Sequence, residues 1–270
     1  MRPNDTSPEA QRVLNEVYRR MTPGQKWLRL GQVYREARLL HAAGVGLRKP
    51  SATPQDVVED WMRLQFGLGL SAREGAMTVD PDSLRGLRAV TEVLTRLDVP
   101  YALGGSMAAA IYARGRQTND ADVTVEPFPG KEAQLIAALG PDYYVSPESV
   151  AQANRARTSF NIINTLTGFK VDVFVRPDSA FEQSAWGRRR AVPLPDRPGE
   201  PLVVLSPEDL LLFKLRWYRL GNESSELQWR DVKELLQIQA GQLDNTYLDH
   251  WAGLLGVADL LARARQESAV

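Results

Sequence analysis

Three aspartates and a glycine pair supply the chemistry this sequence can offer. In Asp120-Ala-Asp122-Val-Thr-Val125 an extended chain turns alternate side chains to opposite faces, so Asp120 and Asp122 project together while Ala121, Val123 and Val125 face a core. A second run, Lys170-Val-Asp172-Val-Phe-Val175, repeats the pattern, with Asp172 standing alone opposite three valines. Neighbouring strands would bring three carboxylates to one face. At about 4 Å each like-charge pair costs on the order of 4 kcal/mol for an effective dielectric near 20. Cations or shifted pKa values must relieve that repulsion, and a divalent metal does so most economically. The chain has no cysteine and only two histidines, His41 and His250, which leaves oxygen ligands and favours Mg²⁺ or Mn²⁺.

Gly104-Gly105-Ser106 provides the complementary half. A glycine pair lets backbone approach a phosphate closely, and amides at the start of a following helix point at the anion. The Ser106 hydroxyl, Arg116 and Thr118 offer further donors. Phosphoryl transfer asks mainly for metals that align attacking and leaving oxygens and for donors that neutralise phosphates. Taken alone, Gly-Gly-Ser is commonly a turn and Asp-x-Asp the wet face of a strand; in this order and spacing the pieces form a rarer combination.

The elements that must hold these residues are legible in outline. A helix over 82–97 leads to a strand at 101–103, and a second helix runs from Met107 to about Ala113. Strand signals follow at 121–127, 142–146, 158–165 and 169–176, with a helix over 130–139. Pro193 to Pro201, with its four prolines, reads as a loop. Ser206-Pro-Glu-Asp starts a helical tail over 208–219, 225–239, 245–255 and 257–267. Residues 8–70 read as helical. Thr22-Pro23 and Thr53-Pro54 mark helix starts, and an apolar stripe runs from Trp27 to Leu40. Residues 71–80 form a connector.

The segment Leu103 to Val123 resembles the signature of the polymerase-β-type nucleotidyltransferase superfamily: Gly-Ser, an interval, Asp-x-Asp, and a later strand with a third Asp. The interval between Ser106 and Asp120 is 13 residues. The Arg-x-Thr-x-Asp-x-Asp form, Arg116 to Asp122, is similar to the branch of minimal nucleotidyltransferases and abortive-infection-type toxins. The likeness continues through Phe160-Asn-Ile-Ile163, Val171-Asp-Val-Phe174, Ser206 to Arg219 and Gln228-Trp-Arg-Asp-Val232, covering about 85–265.

The resemblance implies an α/β (α+β) core with a mixed, mostly antiparallel sheet flanked by helices and a C-terminal helical tail, to which the helical pattern of residues 8–70 adds an N-terminal helical domain. It implies that Asp120 and Asp122 bind both metals and that Asp172 completes the ion activating the attacking hydroxyl. Gly104, Gly105, Ser106, Arg116, Thr118 and Lys214 are then the nucleotide-binding residues. Lys214, among Leu211, Leu212, Phe213, Leu215 and Trp217, needs a partner, and triphosphate is the one the resemblance implies. Arg230-Asp231 is either a charged pair near the nucleotide or a surface ion pair. Glu208 and Asp209 read as ordinary first-turn residues, and Arg188-Arg-Arg190 as a solvated loop with a lesser claim to touch nucleic acid.

Domain bounds of 1–75, 76–200 and 201–270 follow, the last completing the nucleotide site. Lys plus Arg equals Asp plus Glu at 33 each, so net charge alone indicates no nucleic-acid partner, although residues 1–75 are modestly basic. That basic segment could bind or cleave nucleic acid, but a structural cap explains it as well. The expected substrates are an NTP or dNTP and a nucleic-acid 3′ end, tRNA or single-stranded DNA. Rival readings are a small-molecule, antibiotic-type nucleotidyltransferase and a non-catalytic nucleotide sensor. The start, Met1-Arg-Pro-Asn-Asp, opens no signal peptide, and the longest uncharged run, Val99 to Ala113, is shorter than the roughly 18 apolar residues of a membrane span. The expectation is a cytoplasmic protein with no membrane partner.

Overall fold

Alternating valines organise the centre of the molecule. Ala121, Val123, Val125, Val171, Val173 and Val175 are buried almost completely and share one core with Leu84, Leu87, Leu135 and Val150 of the surrounding helices. The computed structural model describes residues 7–20, 22, 37–66, 82–113, 118, 120–194 and 197–268. Their strands are β1 (Tyr101–Leu103), β2 (Asp120–Val125), β3 (Tyr143–Val145), β4 (Ser159–Asn164), β5 (Lys170–Val175), β6 (Arg190–Leu194) and β7 (Arg197–Val204). They form a seven-stranded sheet in the order β3-β4-β5-β2-β1-β7-β6. β2 runs parallel to β5 and β1 to β7, while the remaining four pairings are antiparallel. The fold is therefore the expected mixed, mostly antiparallel α/β arrangement.

Helices flank the sheet. In chain order they are α1 (Pro8–Arg20), α2 (37–48), α3 (Pro54–Phe66), α4 (Asp82–Arg96), α5 (Gly105–Tyr112), α6 (Glu132–Leu139), α7 (Pro147–Ala156), α8 (Ala180–Gly187), α9 (Pro207–Leu220), α10 (Glu226–Ile238), α11 (Asn245–Leu254) and α12 (Ala258–Ser268). Their starts follow capping chemistry. The Thr53 hydroxyl accepts from the Asp56 amide while Asp56 accepts from the Thr53 amide, a reciprocal cap before Pro54. Ser146 and Ser206 cap α7 and α9, each followed by proline at the first helical position.

The N-terminal segment packs onto the rest. Ala10 and Leu14 of α1 meet Ile163 of β4 in a small cluster of their own. Leu40 and Ala43 of α2 belong to the main core, and α2 lies so close to α5 that a Cβ at Gly44 would sit 1.6 Å from the Ile111 carbonyl oxygen. His41 is packed rather than exposed, with Nε2 3.1 Å from Asp60 and its ring edge-on to Trp61. The helix expected after Thr22-Pro23, the stripe from Trp27 and the 71–80 connector lie mainly or wholly outside the described residues.

Four elements differ from expectation. The described part of the proline-rich stretch, 193–194 and 197–201, belongs to strands β6 and β7 rather than to a loop. Proline survives there because β6 is an edge strand with a register irregularity around Pro193. β7 meets β1 only at Leu103↔Val204, so its prolines at 198 and 201 need not serve a second neighbour. Helices α7 and α8 were not expected either. Both carry a serine N-cap, Ser146 and Ser179, accepting from the amide three residues on.

Candidate active site

The site is built where β2 and β5 run side by side in the same direction. Their register pairs Asp120 with Lys170, Asp122 with Asp172, and Thr124 with Phe174. Paired residues share a face, and adjacent strands lie about 4.8 Å apart, so Asp122 and Asp172 are immediate neighbours. β4 adds Asn161, paired with Asp172. Asp120 and Asp122 are half-buried, whereas Asp172 is wholly buried.

A tight turn from β1 into α5 closes one side. The Gly104 amide donates to the Asp122 carbonyl at 2.7 Å, which ties the turn to β2. Gly105 opens α5 with φ +58°, and a Cβ there would lie 1.6 Å from Oδ2 of Asp122. Only glycine permits both that backbone angle and that approach. Ser106 follows, half-buried, at the second position of the helix. The Thr118 hydroxyl donates to Oδ1 of Asp120 at 2.6 Å, orienting that carboxylate from its own strand entry. Arg116 lies outside the described residues.

The third aspartate is not alone on its face. Lys170, two residues earlier, places Nζ 2.5 Å from Oδ2 of Asp172, and Asn161 Nδ2 donates to Oδ1 at 2.7 Å. Period-two alternation carries the signal for Lys170, which must share the face of Asp172; Asn161 becomes visible only once the β4–β5 register is known. Asn161 also accepts from the Ser7 amide at 3.1 Å, so the start of α1 reaches this corner. Among the described residues no group of three His, Asp or Glu side chains is arranged to hold a metal ion. Asp120 and Asp122, half-buried on one face of β2 beside the glycine turn, have the oxygen chemistry to hold an ion. Asp172 as arranged holds an ammonium and an amide instead.

None of the family models matches the chain, and none of the curated proteins does. Among solved structures it is similar to an antigenic nucleotidyltransferase-like protein from Paracoccidioides brasiliensis, at 19% identity, covering 69% of this chain and 93% of that one with a TM-score of 0.41. What the residues of this chain can do therefore has to be judged from their own geometry.

Lys214 on α9 is buried with a carboxylate partner: Nζ lies 2.8 Å from Oδ2 of Asp231 on α10, and 3.4 Å from the Gln228 amide oxygen. The partner its apolar surroundings demand is thus present within the chain. Arg230 is exposed and faces Glu234 at 3.8 Å, so the adjacent Arg230 and Asp231 serve different purposes. Nearby, Trp217 of α9 is partly exposed and tilts against Phe174 at 6.3 Å, continuing the β5 face beyond Asp172.

Two expectations about charged residues need correction. Glu208 and Asp209 are buried, not ordinary first-turn residues. Asp209 accepts from Ser206 at 2.5 Å and from the Tyr247 hydroxyl at 2.6 Å, and Glu208 pairs with Arg188 at 2.9 Å. Burial holds the Asp209 carboxyl above its usual range, opposed by those two hydroxyls. Of Arg188-Arg-Arg190, the first two lie in the turn between α8 and β6 but are half-buried, while the exposed Arg190 opens β6. Arg188 lies 4.0 Å over the Tyr247 ring, and Arg189 lies 3.6 Å over Trp186 while donating to the Trp186 and Tyr101 carbonyls. Their guanidinium groups brace the fold. In the N-terminal segment, Arg19 and Arg20 pair with Glu16, Arg48 with Asp60 and Lys49 with Asp56. No helix among the described residues is long and apolar enough to cross a membrane.

Proposed function

We propose that the chain transfers a nucleoside monophosphate from an NTP or dNTP to an acceptor hydroxyl and releases pyrophosphate, using Mg²⁺ or Mn²⁺. The observation that carries this reading is the Asp122↔Asp172 register beside a glycine turn pressed against Asp122. In such a reaction the acceptor hydroxyl releases its proton to solvent, its oxygen bonds to the α-phosphorus, the bond to the bridging oxygen breaks, and pyrophosphate departs with that electron pair. A divalent ion bound by Asp120 and Asp122 would neutralise phosphate charge and align the attacking and leaving oxygens. The chain's own part is positional. The α5 amides beyond Gly105, with the Ser106 hydroxyl beside them, would receive phosphate charge at a helix N-terminus, where an anion is favoured. Thr118 fixes Asp120 for coordination through its other oxygen. Lys214 contacts phosphate only by sharing its ammonium with Asp231.

A nucleic-acid 3′ end, tRNA or single-stranded DNA, is the acceptor this reading favours. The tilted Phe174–Trp217 pair lies along the carboxylate face, and bases stack on such aromatic surfaces without sequence preference. The direct test incubates the full chain with each α-labelled NTP and dNTP, Mg²⁺ or Mn²⁺, and tRNA, single-stranded DNA or small polyhydroxyl amines. Label in acid-precipitable nucleic acid with stoichiometric pyrophosphate is expected. Label on the small amines instead would make this an antibiotic-type enzyme. Unaltered nucleotide with every acceptor would leave a nucleotide-sensing protein.

A further inference from the structure

We infer that Lys170 is the chain's own cation at the third carboxylate, so that the site takes a single divalent ion, on Asp120 and Asp122, rather than two. This rests on the nucleotidyl-transfer reading above. A parallel register that sets Asp122 against Asp172 creates a repulsion that some positive charge must relieve. On the Asp172 side that charge is already covalently part of the protein. Lys170 is itself 7% exposed, its Nζ lies 2.5 Å from Oδ2, and Asp172 is 0% exposed.

The remaining oxygen of Asp172 is also committed. Asn161 donates to Oδ1 through Nδ2, and its own Oδ1 is held by the Ser7 amide, which fixes which way the amide group faces. An ion reaching Asp172 would have to expel a buried ammonium and strip an oriented amide donor. Removing one partner of a buried ion pair leaves an uncompensated charge, so that exchange is strongly disfavoured. Asp120 and Asp122 are less enclosed than Asp172. Both are half-buried, and the partner seen on Asp120 is a neutral hydroxyl.

Lys170 is therefore a positioning residue: it neutralises Asp172 where a second ion would otherwise sit. Stoichiometry tests this without relying on turnover. The full chain is dialysed to equilibrium against Mn²⁺ and a non-hydrolysable nucleoside triphosphate, and excess Mn²⁺ on the protein side is measured by atomic absorption. Wild type should hold one Mn²⁺ per chain, Lys170→Met two, and the double variant Lys170→Met/Asp172→Asn one again. Two ions on wild type, or one on a Lys170→Met chain folded by circular dichroism, would overturn the inference. No ion on wild type would instead sink the nucleotidyl-transfer reading. Should Lys170→Met not fold, the wild-type count still decides, and Lys170→Gln, which keeps a donor to Asp172, supplies the variant arm.

Discussion

At Gly105 a single hydrogen separates the Asp122 carboxylate from a steric clash. The Cβ of alanine would fall 1.6 Å from Oδ2 of Asp122, at a φ of +58° that L side chains rarely adopt. Gly105→Ala should lower nucleotidyl transfer at least a hundredfold while costing only about 1–3 kcal/mol of stability. Labelled-nucleotide assay and urea unfolding on the same preparation separate the two effects; near-normal transfer would show that the turn does not position Asp122. Lys214 presents the opposite balance. Its ammonium and the Asp231 carboxylate are both buried, so Lys214→Ala should destabilise by about 3–5 kcal/mol through the charge left behind. Replacing both, as Lys214→Met/Asp231→Leu, should recover most of that loss in denaturant melts. If Lys214 also serves phosphate, the double variant will fold yet bind nucleotide weakly. Normal nucleotide affinity in that variant would make the pair purely structural.

Among elements, α2 approaches α5, the helix that opens at the glycine turn, at backbone distance. Helix α5 begins at Gly105 and ends beside Gly44, whose added Cβ would lie 1.6 Å from the Ile111 carbonyl oxygen. Backbone cannot yield as a side-chain tip can, so Gly44→Ala should force α2 away. We expect a loss of about 1–3 kcal/mol in urea unfolding and faster proteolysis within residues 37–66. An unchanged unfolding midpoint would mean that α2 does not support α5. Much of this element scale was legible beforehand, because valine alternation and serine-proline starts are local signals. The strands at 120–125 and 170–175 and the helix after Ser206-Pro207 follow directly from them. Ser146-Pro147 carried the same signal and could have been read the same way. The β6–β7 hairpin could not, since its prolines are tolerated only because of where those strands sit in the sheet. Within the site, the three aspartates and the glycine turn were readable from residue type and spacing. The Lys170–Asp172–Asn161 group required strand register, which is a long-range property. The buried partners of Lys214 and Asp209 lie on other helices, 17 and 38 residues away, and no local pattern announces them.

For the molecule as a whole, pH offers a test of how the N-terminal helices are joined to the rest. Burial pulls the His41 imidazole down to about 4, against the attraction of Asp60. Between that value and its ordinary pKa the unfolded chain binds a proton that the folded chain refuses. Stability from this group is therefore complete above about pH 6.5 and is lost as pH falls toward 4, by on the order of 3 kcal/mol. Thermal unfolding from pH 7 to pH 5 should show a drop that His41→Phe reduces; an equal drop in both would place the acid sensitivity elsewhere. The central claim concerns the face shared by β2 and β5, and one substitution probes it most directly. Asp122→Asn keeps the size of the side chain and removes its charge. With Mg²⁺ or Mn²⁺ and the acceptor that wild type uses, the account predicts that transfer of labelled nucleoside monophosphate falls at least a thousandfold, with circular dichroism and unfolding midpoint unchanged. Transfer by Asp122→Asn at a rate comparable to wild type would contradict it.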